Sequence, residues 1–354
     1  MSFSPLDEVM MRRVLALAEK GLYTTTPNPR VGCVIARNDQ VVGEAWHAKA
    51  GEPHAEALAL QKAGSKAAGA TVYVALEPCN HFGRTPPCAP ALVQAKVARV
   101  VAAVRDPNPR ASGGGAVLEA AGIRFEHGLM EEAARELNIG FISRITRSRP
   151  WVRLKAAATL DGRTALSDGT SKWITGPEAR RDGHHWRARA CAVLTGAGTV
   201  RADDPRLTVR EIETSRQPLR VIVDSRLETP PGAQILRGEK VLVFAAGPGT
   251  LDNAEVVALP NAEGKVDLPR MLGELARRGV NELHVEAGFR LNGSLVREGC
   301  VDEFLLYLNP SLLGDTAQGI AELAAPASLE ARTRMKILSV ERLGEDLRIL
   351  ARPA

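Results

Sequence analysis

The chain has few aromatic side chains, a mild charge and no long apolar run. Phe, Trp and Tyr make up only 4% of its 354 residues, which is a poor supply of stacking surfaces for single-stranded nucleic acid. The formal net charge of +5 is compatible with anionic ligands but too small for a nucleic-acid-binding stripe. No apolar run reaches the roughly 18 residues that a membrane span needs. We therefore expect neither nucleic acid nor membrane as a partner.

Cysteines are also few and odd in number. Five cysteines, together with a first stretch that mixes charged and apolar residues, argue against a secreted, disulfide-bonded protein. We expect a cytoplasmic location, with Cys33, Cys191 and Cys300 as reduced, buried side chains. Hydrophobic residues at 45% and charged residues at 25% are typical of a globular protein, and the length is sufficient for two domains.

The most informative stretch begins at His54 and ends at Cys88. His54, Cys79 and Cys88 are one imidazole and two thiols, three ligands of the type that zinc takes, and a fourth tetrahedral position would stay open for water. Glu56 lies two residues after the first ligand, where it can move protons without binding the metal. This pattern is typical of zinc deaminases. The alternative is a pair of buried cysteines with no metal.

The spacing of the two thiols is unusual. Nucleobase deaminases commonly have about two to four residues between them, whereas here eight residues, NHFGRTPP at 80–87, separate Cys79 from Cys88. With PNPRVG at 27–32, GEPHAE at 51–56 and EPC at 77–79, the first half resembles the deaminase half of the bifunctional riboflavin-biosynthesis deaminase–reductase family. The resemblance implies a three-layer α/β/α cytidine-deaminase-like domain with one Zn²⁺ per chain.

The same resemblance implies roles for residues of the first half. Glu56 is expected to be the catalytic acid and base, and His54, Cys79 and Cys88 to be the zinc ligands. The expected substrate-binding residues are Asn28, His47, His81, Arg84 and Thr85. From the residues alone, Asn28 could equally be a turn residue, because prolines flank it.

Periodicity predicts the elements of the first half. Helical spacing of apolar residues predicts helices, and apolar runs bounded by turn residues predict strands. The predicted helices span 6–20, 54–63, 88–97, 117–121 and 131–141. The predicted strands span 31–36, 41–43, 71–76, 100–104 and 123–125. The glycines at 113–115 are predicted to form a flexible loop rather than a phosphate loop, because no Lys-Ser/Thr pair follows them.

A polar, basic, proline-ended segment at 143–150 predicts a solvated linker and a domain boundary. The predicted domains are residues 1–146 and 147–354. In the second domain the pattern predicts helices and strands in alternation. One predicted helix there ends at 190, and two others span 268–278 and 291–299. The predicted strands span 152–157, 191–195, 219–223, 240–244, 282–285 and 303–308. Glycines at 196 and 198 lack the third glycine of a dinucleotide fingerprint, so the pattern alone predicts only a nucleotide-binding α/β domain.

The second half resembles the reductase half of the same family. The resemblance rests on LDGRT at 160–164, SKWIT at 171–175, GAGTV at 196–200 and VEAG at 285–288. It implies a dihydrofolate-reductase-like α/β fold, NADPH as cofactor and Lys155 as a proton donor. The expected cofactor-binding residues are Ala157, Trp173, Thr199, Asp203, Ser225, Gly288, Phe289, Arg290, Leu291, Asn292, Gly293 and Ser294. The expected substrate-binding residues are Ser171, Arg187, Leu207, Arg210 and Glu286.

For four of these residues a purely structural role remains open. Arg187 and Arg210 could be ordinary surface arginines, Asp203 could end a turn, and Leu207 could be a core residue. The resemblance as a whole implies deamination of a phosphorylated diaminopyrimidine followed by NADPH-dependent reduction of its ribosyl group, by a homo-oligomer (dimer or tetramer). The rival interpretations are a nucleic-acid deaminase, such as one acting on tRNA adenosine, and a non-catalytic zinc-stabilised binding module.

Overall fold

The computed structural model describes residues 3–83, 85–239 and 241–354. The chain divides into two compact units, Met1–Ser148 and Arg149–Ala354, and each is described by itself below. Within the described ranges, no helix is both long enough and apolar enough to cross a membrane. None of the five cysteines, all of which are described, forms a disulfide.

The first unit alternates helices with strands. Its α-helices are α1 (Pro5–Glu19), α2 (Ala55–Ala63), α3 (Cys88–Gln94), α4 (Gly114–Ala120), α5 (Glu131–Leu137) and α6 (Ile139–Arg147). Its strands are β1 (Gly32–Arg37), β2 (Gln40–Trp46), β3 (Thr71–Leu76), β4 (Arg99–Val104) and β5 (Arg124–His127). The strands form one sheet in the order β2-β1-β3-β4-β5. β1 is antiparallel to both of its neighbours, and β3, β4 and β5 are parallel.

Helices cover both faces of this sheet, because its inner strands are apolar on both sides. In β3, Val72 and Val74 pack into a cluster with residues of α2, α3 and α4. Tyr73 and Ala75, which point the other way, pack with residues of α1, α5 and α6. Alternate side chains of a strand face opposite sides of the sheet, so a continuous apolar strand serves two cores. The three-layer α/β/α arrangement implied by the resemblance is confirmed.

The second unit is built on a larger sheet. Its helices are α7 (Pro177–Arg189), α8 (Ala197–Asp203), α9 (Leu268–Arg277) and α10 (Phe289–Arg297). Its strands are β6 (Trp151–Thr159), β7 (Arg163–Ala165), β8 (Ala192–Gly196), β9 (Leu219–Val223), β10 (Val241–Ala245), β11 (Ala254–Ala258), β12 (Glu282–Val285), β13 (Glu303–Asn309), β14 (Gln318–Gly319), β15 (Met335–Leu343) and β16 (Asp346–Pro353).

Nine of these strands form one sheet in the order β11-β10-β9-β8-β12-β6-β13-β16-β15. All neighbours from β11 to β13 are parallel, whereas β16 is antiparallel to β13 and β15 is antiparallel to β16. Parallel strands have their carboxyl ends at one edge of the sheet, which is where ligands bind in open α/β sheets.

Several local predictions are wrong. Residues 143–147 are not a solvated linker but the last turns of α6, in which Ser143 is buried. The glycines at 113–115 are not a flexible loop: Gly113 is the left-handed N-cap of α4, and Gly114 and Gly115 are its first residues. The helix expected over 131–141 is split at Asn138, whose side-chain oxygen accepts a hydrogen bond from the backbone N–H of Arg30 at 2.7 Å. His54 is the N-cap of α2 rather than part of its first turn.

Candidate active sites

In the first unit, three side chains that are distant in sequence meet at one point. His54 is the N-cap of α2, Cys79 follows the end of β3, and Cys88 is the first residue of α3. His54 Nδ1 lies 3.5 Å from Cys79 Sγ and 3.4 Å from Cys88 Sγ. Among the described residues, these three form the one group of His, Cys, Asp or Glu ligands close enough to hold a metal, with ligand atoms within 4.8 Å of one another.

The electrostatics of the cluster suit a soft metal ion. A hydrogen bond from Cys88, reinforced by His54, outweighs burial and lowers the pKa of Cys79 to about 4, whereas the neighbouring Cys79 sulfur and burial raise the pKa of Cys88. One thiol is therefore ready to be the thiolate that metals bind. One nitrogen and two sulfurs fit zinc with a fourth position open, so the donor set fits the metal expected there.

Glu56 lies in the first turn of α2 and its residue is only 4% exposed. Its carboxyl is not part of the ligand cluster formed by the described residues. Burial raises its pKa above that of an exposed glutamate. A carboxyl with a raised pKa can both take up and return a proton near neutral pH.

Of the residues predicted to hold the substrate, His47 packs against His54 and Asn28 contacts His47. The His47 ring packs edge-on against the His54 ring, with 5.4 Å between centroids. His47 Nδ1 is 3.1 Å from the carbonyl of Pro53, so Nδ1 carries the proton and Nε2 accepts. Asn28 Nδ2 lies 3.0 Å from that Nε2, which leaves its other N–H and its oxygen for a ligand. Asn28 is thus more than a turn residue.

The loop between the two thiols approaches His54 from its other side. Thr85 Oγ1 is 3.1 Å from His54 Nε2, a contact that sequence reasoning did not predict. His81 is half-buried, and its Nδ1 has no hydrogen-bond partner among the described residues. Arg84, also predicted to bind substrate, lies outside the described residues.

A buried carboxylate and a glycine fix the chain just before Cys79. Glu77 accepts hydrogen bonds from the backbone N–H groups of Gly115 at 2.9 Å and Asp106 at 3.2 Å. Gly114 lies so close to the chain before Cys79 that a Cβ on it would be 1.8 Å from the Pro78 carbonyl oxygen. Sequence reasoning treated Glu77 only as part of a motif, and nothing in the glycine run pointed to this packing.

In the second unit, Glu286 is the centre of a polar cluster at the end of β12. Its carboxylate is bound by both arms of the Arg187 guanidinium, one contact being 2.8 Å from Nη2 to Oε2. Lys155 Nζ lies 3.9 Å from Oε2. Burial raises the pKa of Glu286, but Arg187 outweighs it and holds that pKa well below its usual value. Arg187 is therefore not a surface arginine, since its side chain is 15% exposed and committed to this carboxylate.

Two features of Lys155 bear on its predicted role as a proton donor. Burial lowers the pKa of its ammonium, with Glu286 acting in the opposite direction. Its Nζ lies 5.7 Å above the ring of Tyr307. A lysine whose pKa is lowered gives up its proton more readily.

Sequence reasoning missed His284, which is fully buried on β12 two residues before Glu286. Its Nε2 is 3.5 Å from Glu286 Oε1. Alternation along the strand could have found it, since residues two apart face the same side of a sheet. Burial lowers the pKa of His284, so at neutral pH it meets Glu286 as an uncharged ring.

Several predicted cofactor-binding residues meet at the carboxyl edge of the sheet. Thr199 in α8 follows β8, Ser225 follows β9, and Gly288 follows β12, three neighbouring strands. Thr199 Oγ1 accepts a hydrogen bond from Gly288 N at 3.0 Å. Asp203 ends α8 and accepts a hydrogen bond from Ser171 Oγ at 3.4 Å. Ser225 Oγ accepts from Val266 N at 3.2 Å.

Other predicted cofactor-binding residues are partly or largely exposed to solvent. Trp173 is 72% exposed, with the Arg180 guanidinium 4.7 Å above its ring. Ala157 is half-buried on β6, two residues after Lys155. The first residues of α10, Phe289 and Arg290, are half-buried and exposed respectively.

Three of the predicted residues, Leu207, Asn292 and Gly293, are turned toward the protein. Leu207 is 3% exposed and packs in an apolar cluster, which favours the core alternative. The Asn292 amide donates to the carbonyls of Ala287 and Ile320, and a Cβ on Gly293 would be 2.3 Å from the Glu322 carbonyl oxygen.

Three further predicted residues have local contacts. Leu291 lies against Gly196, and Ser294 Oγ donates to the Arg290 carbonyl at 3.3 Å. Arg210 is exposed; its backbone N–H donates to His184 Nδ1 and its guanidinium to Thr208.

Comparison with known families agrees with this geometry. Residues 4–104 match the cytidine and deoxycytidylate deaminase zinc-binding region, and residues 150–349 match the RibD C-terminal domain. The riboflavin biosynthesis protein RibD of Escherichia coli is 43% identical over 96% of this chain and 98% of its own. The chain belongs to the RibD family of riboflavin biosynthesis proteins. The resemblance of both halves of the sequence to this family is confirmed.

Solved structures of relatives have the same fold throughout. A RibD structure from Acinetobacter baumannii matches with a TM-score of 0.92 at 42% identity, covering 99% of each chain. The diaminohydroxyphosphoribosylaminopyrimidine deaminase/5-amino-6-(5-phosphoribosylamino)uracil reductase of Thermotoga maritima matches with a TM-score of 0.90 at 32% identity, again over 99% of each chain. The fold is a cytidine-deaminase domain followed by a dihydrofolate-reductase-like domain, and the protein is a bifunctional deaminase and reductase of riboflavin biosynthesis. Full-length family membership disfavours a nucleic-acid deaminase and a non-catalytic zinc module.

Proposed function

We propose that the first domain deaminates 2,5-diamino-6-ribosylamino-4(3H)-pyrimidinone 5′-phosphate and that the second reduces the ribosyl group of the product to ribityl with NADPH. The domains are assigned as residues 1–146 and 147–354. The observation that carries the proposal is the His54, Cys79 and Cys88 cluster, with buried Glu56 beside it, in a chain similar to RibD over its whole length. The deaminase and reductase named for the Thermotoga relative support the same substrate class.

In the deaminase site each residue has a defined task. Zinc, when bound, supplies a water whose pKa is lowered toward neutrality. The residues that would hold the zinc are His54, Cys79 and Cys88. As a water oxygen adds to the amino-bearing carbon and the carbon–nitrogen bond breaks, Glu56 would move one proton from the water to the amine, which departs as ammonia. Asn28 binds the pyrimidine through the polar atoms that His47 leaves open. His81, Thr85 and Arg84, from the sequence between the two thiols, are assigned to the ribose phosphate of the substrate.

In the reductase site NADPH, when bound, supplies the hydride that reduces the ribosyl carbon. Lys155 donates a proton to the ring oxygen as the sugar opens, and Glu286 orients the lysine and a sugar hydroxyl. Arg187 acts on the substrate through Glu286, because its guanidinium is already occupied by that carboxylate. Ser171, Arg210 and the backbone at Leu207 are the remaining substrate contacts.

The carboxyl edge of the sheet fits a dinucleotide. In the described part of the chain, α10 has Gly288 as its N-cap and no side-chain cap, so N–H groups of its first turn are available to a phosphate. Thr199 and Ser225 lie just after the ends of β8 and β9, Asp203 ends α8, and exposed Trp173 offers a flat apolar surface. These features support NADPH at this edge.

The outer strand of the large sheet supports a homo-oligomer. β15 is the last strand in the sheet order, and Ile337 and Val340 on it are 59% and 54% exposed. An exposed apolar edge strand invites pairing with another strand, and a second copy of the same strand is self-complementary about a two-fold axis. Replacing both residues with lysine should turn a dimer into a monomer by light scattering, whereas Leu329→Lys, 77% exposed outside any strand, should not.

One assay tests the proposed reactions. Purified protein receives the diaminopyrimidine phosphate, and ammonia release and NADPH absorbance are followed with and without a zinc chelator. We expect ammonia before NADPH consumption, and loss of both with chelator because the second step needs the product of the first. NADPH consumption by chelated protein given the undeaminated substrate would contradict the order of steps.

A further inference from the structure

The two nitrogens of His54 face different groups. Nδ1 is 3.5 Å from Cys79 Sγ and 3.4 Å from Cys88 Sγ, so it is the nitrogen that belongs to the metal cluster. Nε2, on the other side of the ring, is 3.1 Å from Thr85 Oγ1. Thr85 is half-buried in the loop between the two thiols.

The chemistry of imidazole fixes the direction of this contact. A ring nitrogen that binds a metal uses its lone pair, so the proton of the neutral ring must be on the other nitrogen. With Nδ1 at the metal, Nε2–H donates and the Thr85 hydroxyl accepts. Metal-binding histidines commonly have such an outer partner, which fixes the tautomer and the orientation of the ring.

We propose that Thr85 is a positioning residue for the metal site: its hydroxyl accepts the Nε2–H of His54 and thereby holds Nδ1 toward the two sulfurs. The proposal rests on the zinc site of the proposed function and deepens it. It also gives the long loop between Cys79 and Cys88 a task beyond the substrate, since Thr85 is one of the residues of that loop.

Zinc affinity tests the proposal without reference to activity. Full-length protein is titrated with zinc against a chromophoric chelator, and the variants are Thr85→Val, which keeps the shape but loses the hydroxyl, and Thr85→Ser, which keeps the hydroxyl. Loss of an outer-shell partner typically weakens metal binding about 10–100-fold, and we expect Thr85→Val to fall in that range while Thr85→Ser stays close to wild type. Thr146→Val is the matched control, because the Thr146 hydroxyl bonds only to its own helix at Ile142 in the described contacts.

The outcomes separate the possible roles of Thr85. A Thr85→Val protein with wild-type zinc affinity and a raised KM for the pyrimidine would overturn the proposal, because Thr85 would then act on the substrate alone. Equal losses in Thr85→Val and Thr85→Ser would also overturn it, since the hydroxyl would not be the cause. Cys79→Ser is included so that the zinc site itself is tested: if that variant binds zinc as wild type does, the proposed function fails rather than the role of Thr85.

Discussion

Glu56 and His54 lie two residues apart but have different tasks in the proposed site. Glu56→Gln should keep its zinc, because the carboxylate is not among the ligand atoms that meet at the cluster in the described residues. It should lose deamination by about 10²–10⁴-fold, the usual contribution of a general acid–base group. Zinc content and ammonia release measured on the same preparation check this. Near-normal turnover in a zinc-loaded variant would exclude the proton-transfer role.

The three cysteines of the first unit provide a matched set. Cys79→Ser and Cys88→Ser should each lower the zinc content, because a neutral hydroxyl is a much poorer zinc ligand than a thiolate. Cys33→Ser should retain zinc, since Cys33 lies on β1 in the apolar cluster beside α2 and is also fully buried. Metal analysis of the three purified proteins decides the assignment. Equal zinc in all three would mean that the ligands are elsewhere.

The pairing of Arg187 with Glu286 predicts a pH dependence. In the wild type the pKa of Glu286 is held low, so its stabilising charge is present above the unfolded-state value near 4.5 and is lost only as pH falls through the lower folded value. In Arg187→Met, burial would raise that pKa, and stability would then fall as pH rises through it. Removing one partner of a buried pair costs up to about 3–5 kcal/mol.

The measurement is the melting temperature of full-length protein at about pH 4.5 and pH 7.5. The melting temperature of the wild type should exceed that of Arg187→Met by a larger margin at the higher pH than at the lower pH. Arg181→Met, an exposed arginine on the same helix α7, should show no such difference. A gap that is constant with pH would show that Arg187 contributes packing rather than charge.

At the scale of elements, the first residue of α4 packs against the chain just before Cys79. Gly114→Ala would place a Cβ 1.8 Å from the Pro78 carbonyl oxygen, so the chain before Cys79 must move. Overpacking of this kind costs about 1–3 kcal/mol, and we expect zinc content to fall with it. Gly183→Ala in α7 meets no described atom within 4 Å and should instead stabilise by about 0.5–1 kcal/mol. Thermal unfolding and metal analysis compare the two, and an unchanged zinc content in Gly114→Ala would contradict the link.

The strands that sequence predicts best are those buried on both faces. β3 and β4 are apolar after their first residues, Thr71 and Arg99, so both strands are visible without the rest of the chain. β15 and β16 were not predicted, because β15 is exposed along most of its length and carries no burial pattern. α8 was interpreted only as a glycine junction, since a seven-residue helix that starts at a glycine turn has little periodicity to detect.

For the two sites, sequence identified residue types but not their partners. His54, Glu56, Cys79 and Cys88 were found because zinc chemistry restricts which residues can occur together. The contacts of His54 with Thr85 and of Glu286 with Arg187 join residues whose spacing has no regular period. They depend on how the sheet brings strand ends together, which only the fold supplies.

At the scale of the whole molecule, both sites follow one structural rule. In each unit several of the proposed site residues are at the ends of strands and the beginnings of helices: Cys79 after β3 and Cys88 at α3, Glu286 after β12 and Gly288 before α10. Some backbone N–H and C=O groups at these junctions are not used in the hydrogen bonds of the sheet or the helix. Each unit also has its own sheet, its own apolar cores and its own complete set of proposed site residues.

This completeness predicts that the chain can be divided. Ser148 is the left-handed C-cap of α6, and Arg149 forms an ion pair with Asp302 at 2.7 Å, so a cut between them leaves each residue with its own unit. Residues 1–148 should be soluble and release ammonia without NADPH. Residues 149–354 should oxidise NADPH only when given the deaminated intermediate, because every proposed reductase residue follows the cut. NADPH consumption by the first piece would place the cofactor in the wrong domain, and insolubility of either piece alone would show that its core is not self-sufficient.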